Sequence, residues 1–222
     1  MGQWIELKPQ GAGPISAWRA EPDGKPRAGV VVIQEIFGVN SHIRAMADRF
    51  ASVGYLAIAP AVFDHIEKGF DVGYEADSRA RGMAIVGKLD FEQTLRDVAA
   101  AIDTAKEAGK VGIVGYCFGG SVAWAAAARL SGLSAAVGYY GGRILAMKDL
   151  RPQAPTELHF GEKDPHIPIK DVRAFAAERP EVTIFTYPAD HGFNCDQRES
   201  YEPGSAALAW SRTLEFFRRH LD

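Results

Sequence analysis

Three residue types that together perform nucleophilic catalysis occur in a telling order along this 222-residue chain: Cys117, then Asp164, then His191. Cys117 lies in Gly115-Tyr116-Cys117-Phe118-Gly119-Gly120, directly after the strand expected at 111–114. A nucleophile flanked by glycines between a strand and a helix occupies a sharp turn where neighbouring backbone must pass close by. The following helix aims backbone N–H groups and its positive end at that turn, which favours thiolate and stabilises an oxyanion. The bland alternative is a buried cysteine in a glycine-rich packing turn, since free cysteine is often a small core residue. A phosphate-binding loop fits less well. The Gly-Lys-Ser/Thr ending is missing, and so is the glycine spacing of a dinucleotide turn.

A nucleophile on such a turn needs a base, and the base needs an orienting carboxylate. In strand–turn–helix sites the chain order is nucleophile, acid, histidine. The strand expected at 156–160 runs into Gly161-Glu162-Lys163-Asp164-Pro165, so Asp164 is the expected acid and Glu162 its rival nearer the strand end. The strand expected at 182–187 is followed by Pro188-Ala189-Asp190-His191-Gly192-Phe193, which makes His191 the expected base. Each residue alone reads as a turn former, whereas the three together, each after its own strand, read as a triad. The strand at 30–33 ends in Gln34-Glu35-Ile36-Phe37-Gly38. The loop after an early strand supplies a second oxyanion N–H in this architecture, so Ile36 and Phe118 are the expected donors. Glu35 would then lie beside the thiol, able to accept its proton or hold it neutral. As an isolated residue it reads as an ordinary surface loop glutamate.

These residues need a scaffold, and the hydrophobic pattern supplies one. Buried strands are expected at 30–33, 55–59, 111–114, 135–139, 156–160 and 182–187. Helices are expected at 43–53 (capped by Asn40 or Ser41), 75–86, 90–108, 121–130, 170–179 and 206–221. Residues 9–14 read as a turn between two strands and 63–73 as loop. This alternation predicts an α/β fold, a mostly parallel central sheet with helices on both faces, in a single domain over 1–222. The site should lie beyond the carboxyl ends of the strands.

Composition narrows the function classes. The net charge of -3 and the absence of a basic excess argue against nucleic acid as a partner. The two cysteines form no disulfide framework and no zinc-type pair. His159, Asp164 and His166 could approach a metal, yet no further ligand has recognisable spacing, so neither metal nor cofactor is expected. Apolar runs are too short to span a bilayer, and the first residues lack the features of a signal peptide. A cytoplasmic enzyme, monomer or small homo-oligomer, acting on a small molecule is the resulting expectation.

Taken together, Gln34-Glu35-Ile36-Phe37-Gly38-Val39-Asn40, the Cys117 turn, Ala136-Val137-Gly138-Tyr139-Tyr140-Gly141, Gly161-Glu162-Lys163-Asp164 and Asp190-His191-Gly192-Phe193 resemble the dienelactone hydrolase (carboxymethylenebutenolidase) family of α/β-hydrolases. The resemblance implies a Cys117–Asp164–His191 triad cleaving a lactone or ester, with Glu35 taking part in thiol activation when substrate binds. It also implies an arginine upstream of the Cys117 turn that binds a substrate carboxylate. Arg79 falls there, with Arg81 a near rival. A second arginine belongs shortly after the catalytic histidine. Here Asn194 and Cys195 follow instead, and Arg198 is the nearest arginine. Tyr140 and Phe37 complete the expected substrate-contacting set. Positions that are aromatic in the family are Met83 and Val86 here, which leaves the substrate open. Cys195 reads as structural or pocket-lining. A general carboxylesterase or thioesterase with the same triad is the alternative, followed by a non-catalytic relative of the fold.

Overall fold

The computed structural model describes residues 2–222. Its centre is one eight-stranded sheet ordered β1-β2-β4-β3-β5-β6-β7-β8. The strands are β1 (Gln3–Leu7), β2 (Ile15–Ala20), β3 (Ala28–Ile33), β4 (Tyr55–Pro60), β5 (Val111–Tyr116), β6 (Ala135–Tyr139), β7 (Thr156–Gly161) and β8 (Thr183–Tyr187). From β4 to β8 every neighbouring pair is parallel. The antiparallel additions are the β1–β2 hairpin and the β2–β4 pair, so the expected turn at 9–14 does join two strands. Continuous apolar runs mark strands covered on both faces, and every residue of β3, β4, β5, β6 and β7 is buried. Strand alternation divides each run between two cores. Val30 and Val32 belong to one, Val31 and Ile33 to the other.

Six helices cover the sheet: α1 (Ser41–Ser52), α2 (Ala76–Val86), α3 (Phe91–Ala105), α4 (Phe118–Arg129), α5 (Ile169–Glu178) and α6 (Pro203–Leu221). Phe50 of α1 packs with Trp210 and Phe217 of α6 on one face. Leu95, Val98 and Ile102 of α3 join Val122 and Ala126 of α4 on the other. Their starts are chemically set. Asn40 accepts from the Ile43 N–H at 3.2 Å, and Asp90 accepts from that of Glu92 at 2.9 Å. Glu202 accepts from Gly204 and Ser205 with Pro203 in the first turn, so α6 begins three residues before the expected 206. The expected helix 90–108 is α-helical only to Ala105. A 3-10 turn over Lys106–Ala108 closes it before Gly109, which has φ 103°. Among the described residues no helix is long and apolar enough to cross a membrane.

The parallel register has one functional consequence. The carboxyl ends of β3, β5, β6, β7 and β8 emerge along the same sheet edge. The loops carrying Glu35, Cys117, Arg143, Asp164 and His191 therefore converge there.

Candidate active site

Cys117 sits between β5 and α4 with φ 54°, one of two non-glycine residues at positive φ among those described. Such a conformation costs of order 1–3 kcal/mol and persists only where its surroundings dictate it. Those surroundings are glycines. A side chain at Gly115 would land on the Gly119 carbonyl, and one at Gly119 on the Ile33 carbonyl. At Gly120 a Cβ would come within 2.6 Å of the Tyr139 carbonyl oxygen. The G-x-C-x-G-G pattern is thus what lets α4 press against β3 and β6. It also explains why α4 begins at Phe118 and not at 121: Gly119 and Gly120 belong to its first turn. The N–H groups of Ile36 and Phe118 have no hydrogen-bond partner among the described residues, and both residues line the same pocket as Cys117. Both N–H groups are thus free to donate to a group bound in that pocket.

The structure brings the three sequence-predicted reactive residues together. His191 Nε2 lies 3.2 Å from Cys117 Sγ, and His191 Nδ1 lies 2.6 Å from Asp164 Oδ2. Asp164 is held from its other oxygen, which accepts the His166 backbone N–H at 2.8 Å. The rival Glu162 is exposed and accepts from the Thr186 hydroxyl of β8 at 2.8 Å. Burial pulls the His191 pKa down, but hydrogen bonds and charge from Asp164 and Cys117 outweigh it and raise it to about 10. An imidazole with that value is protonated at neutral pH, the counter-charge a thiolate needs.

The same shift has a stability consequence. A histidine whose pKa is raised on folding stabilises the fold fully below its unfolded value, about 6.5, and the benefit vanishes as pH rises through the folded value. The stability advantage of the wild type over His191→Gln should therefore be constant below pH 6 and shrink steadily between pH 7 and 10. Urea midpoints measured across this range provide the check. An advantage that grows with pH would contradict a raised His191.

A cavity of about 310 Å³ opens over Cys117. Phe37, Met83, Val86 and Phe118 form apolar wall, while Arg79, Arg143 and Arg198 bring positive charge, and among the described residues no aspartate or glutamate lines it. Of the two candidate arginines in α2, Arg79 faces the cavity, with Nη2 3.2 Å from His166 Nε2. Arg81 does not: it pairs with Glu67 at 2.9 Å over the Phe70 ring. The correction has a simple cause, since residues two apart on a helix point to nearly opposite sides. Tyr140 is also corrected. It is fully buried behind the site, its ring 5.2 Å from that of His191, and it supports the histidine without lining the pocket. Phe37 and Arg198 line the pocket as expected.

Glu35 departs furthest from its expected place. It is fully buried, and its carboxylate accepts from Tyr74 at 3.2 Å and pairs with Arg198 at 3.3 Å. No hydrogen bond joins it to Cys117 among the described residues. Burial opposes the charge on Arg198, yet Glu35 keeps its pKa above the ordinary value. Behind this pair lie two groups that motif spacing did not connect to it. A nitrogen of His42 and the sulfur of Cys195 fall within 4.8 Å of each other and of the Glu35 carboxylate. Burial pushes the Cys195 thiol up to about 12 and the His42 imidazole down, so both are neutral at neutral pH. The three could offer ligands to a metal, but Arg198 already meets the Glu35 charge. The other trio considered, His159, Asp164 and His166, is dispersed: His159 is buried against Tyr187 and Thr213. Arg143 and Ser121 also line the cavity without having been anticipated. The position of Arg143 just past the carboxyl end of β6 is the signal that could have found it.

A mostly parallel sheet with this cysteine turn, carboxylate and histidine at its carboxyl edge is an α/β-hydrolase fold. Over residues 15–221 the sequence matches the dienelactone hydrolase family, and the chain belongs to that family. A protein of Synechocystis sp., provisionally named carboxymethylenebutenolidase, is 36% identical over 93% of this chain and 92% of its own. An Escherichia coli protein with the same provisional name is 35% identical over 93% of this chain and 83% of its own. The crystal structure of a provisionally named dienelactone hydrolase from Klebsiella pneumoniae superposes with a TM-score of 0.85 at 32% identity, covering 99% of each chain. The protein is accordingly a hydrolase acting on lactones or carboxylic esters.

Proposed function

We propose that hydrolysis proceeds through a Cys117–His191–Asp164 triad and a thioacyl-enzyme, on a lactone or ester that carries an anionic group. The observation that supports this best is the continuous chain Cys117 Sγ–His191 Nε2 and His191 Nδ1–Asp164 Oδ2, at 3.2 and 2.6 Å, built on a strained turn. Cys117 attacks the carbonyl carbon as thiolate, and the resulting oxyanion accepts from the Ile36 and Phe118 N–H groups. When the tetrahedral intermediate collapses, the C–O bond breaks and the leaving alkoxide takes the proton of the His191 imidazolium. In a lactone that alkoxide stays tethered and the ring opens. Neutral His191 then takes a proton from water as it attacks the thioester, and the thiolate leaves with the product carboxylic acid released.

Glu35 enters through Arg198. An anionic group of the substrate at the Arg198 guanidinium competes with Glu35 for it, and a Glu35 carboxylate so freed lies one residue from the oxyanion donor Ile36. This agrees with the resemblance, in which the glutamate acts on the thiol when substrate is present. Arg79 supplies the second cation on the substrate side.

Acid quenching during turnover of an activated aryl ester tests the covalent step. The peptide containing Cys117 should gain the mass of the acyl group, and alkaline hydroxylamine should remove it. Acyl mass on any other residue, or none on Cys117 under burst conditions, would overturn the thioacyl route.

A further inference from the structure

The cavity holds more positive charge than one carboxylate needs. Arg198 is already met by Glu35. Arg79 has only the His166 imidazole beside it, and the Arg143 side chain has no hydrogen bond or ion pair among the described residues. Two guanidinium groups therefore face one small pocket with no acidic partner. Arg143 is also held in place. Its backbone N–H donates to Ser121 Oγ at 3.0 Å, which ties its turn to the first turns of α4 behind Cys117. On the other side of it, Ile144 is fully buried and its N–H donates to the Gly141 carbonyl at 3.2 Å. A Cβ at Gly141 would approach the Ser121 nitrogen to 2.9 Å, so the turn and α4 are packed backbone to backbone. A charged side chain on a rigid turn, aimed into the site and unpaired, is suited to receive an anion with little reorganisation.

We propose that Arg143 is a second substrate anchor, and that the preferred substrate is a lactone or ester bearing two anionic groups, one shared between Arg79 and Arg198, where it competes with Glu35, and one met by Arg143. The proposal rests on the hydrolase reading above and specifies its substrate class. A monoanion held by Arg79 and Arg198 leaves the Arg143 guanidinium without an anionic partner, whereas a dianion pairs it as well. The size also fits, because a cavity of about 310 Å³ lies at the small end of ligand pockets.

Three esters with one common aryl leaving group test this: an acyl part with no carboxylate, with one, and with two. Wild type should rank them dianion, monoanion, neutral in kcat/KM. In Arg143→Ala the ratio of dianion to neutral kcat/KM should fall about 10- to 100-fold, chiefly through KM, while Arg143→Lys keeps much of it. Arg79→Ala should lower the ratio of monoanion to neutral as well. A wild type that does not prefer the dianion to the monoanion overturns the inference and leaves the hydrolase reading standing. So does a dianion-to-neutral ratio unchanged in Arg143→Ala, including the case where all three rates fall in parallel because the turn has been damaged. Absence of hydrolysis of all three esters by wild type would instead overturn the hydrolase reading, and this inference with it.

Discussion

Cys117→Ala is expected to lose turnover on aryl esters and lactones by roughly 10⁴- to 10⁶-fold, the range seen when a triad nucleophile is removed. The fold should survive. Cys117 is only half-buried, and the turn is dictated by glycine contacts that alanine leaves untouched. Cys117→Gly sharpens the point. It should be equally inactive, yet no less stable than Cys117→Ala, because glycine relieves the cost of φ 54°. A melting temperature clearly below that of Cys117→Ala would mean the turn is not strained. Cys117→Ser separates a thiol design from a generic elbow. The raised His191 pKa of the wild type draws part of its support from the hydrogen bond and charge of Cys117, which a serine takes away. A serine hydroxyl is far less acidic than a thiol, so that histidine must take its proton during the attack, a step that a thiolate does not need. Its kcat should be about 10²- to 10⁴-fold below wild type at pH 7, with the same far-UV spectrum. Equal rates would show the thiol to be incidental.

Asp164→Asn should cost about 10³- to 10⁴-fold in kcat, comparable to the loss of the orienting carboxylate in other triads. The geometry says why. Oδ1 accepts the His166 N–H while Oδ2 accepts from His191 Nδ1. An asparagine must keep its carbonyl oxygen toward His166 and therefore turns its NH2 toward His191. Nδ1 then has to accept, the ring proton moves to Nε2, and the neutral histidine no longer has a lone pair for water. Losing the carboxylate also removes a main support of the raised His191 pKa. The decline of stability between pH 7 and 10 expected of wild type should therefore flatten in this variant. Loss of activity with an unchanged pH–stability curve would mean that Asp164 acts on something other than His191.

Much of this was legible in the chain. Strand runs such as 30–33 and 111–114 are continuous because both faces are covered, and that alone predicts a parallel sheet with helices on either side. Cys117, Asp164 and His191 could be read off because each is the chemistry-bearing residue just after its own strand, and parallel strands must deliver those points to one edge. The elbow was legible too, since its glycines answer to contacts made within a few residues or with the adjacent strand. What spacing could not supply was the rotational phase of α2, on which the choice between Arg79 and Arg81 turned. Nor could it supply partners drawn from distant loops. Glu35 meets Arg198 across 163 residues and lies beside His42 and Cys195, a pairing that exists only once β3 and the loop after β8 share an edge. Arg143 depended on Ser121 fixing its turn. The order of the reactive groups and the shape of the turn that presents Cys117 are local, written in residue type and spacing. Which charges neutralise one another, and which stay free to meet a substrate, is decided only when loops far apart in sequence pack together.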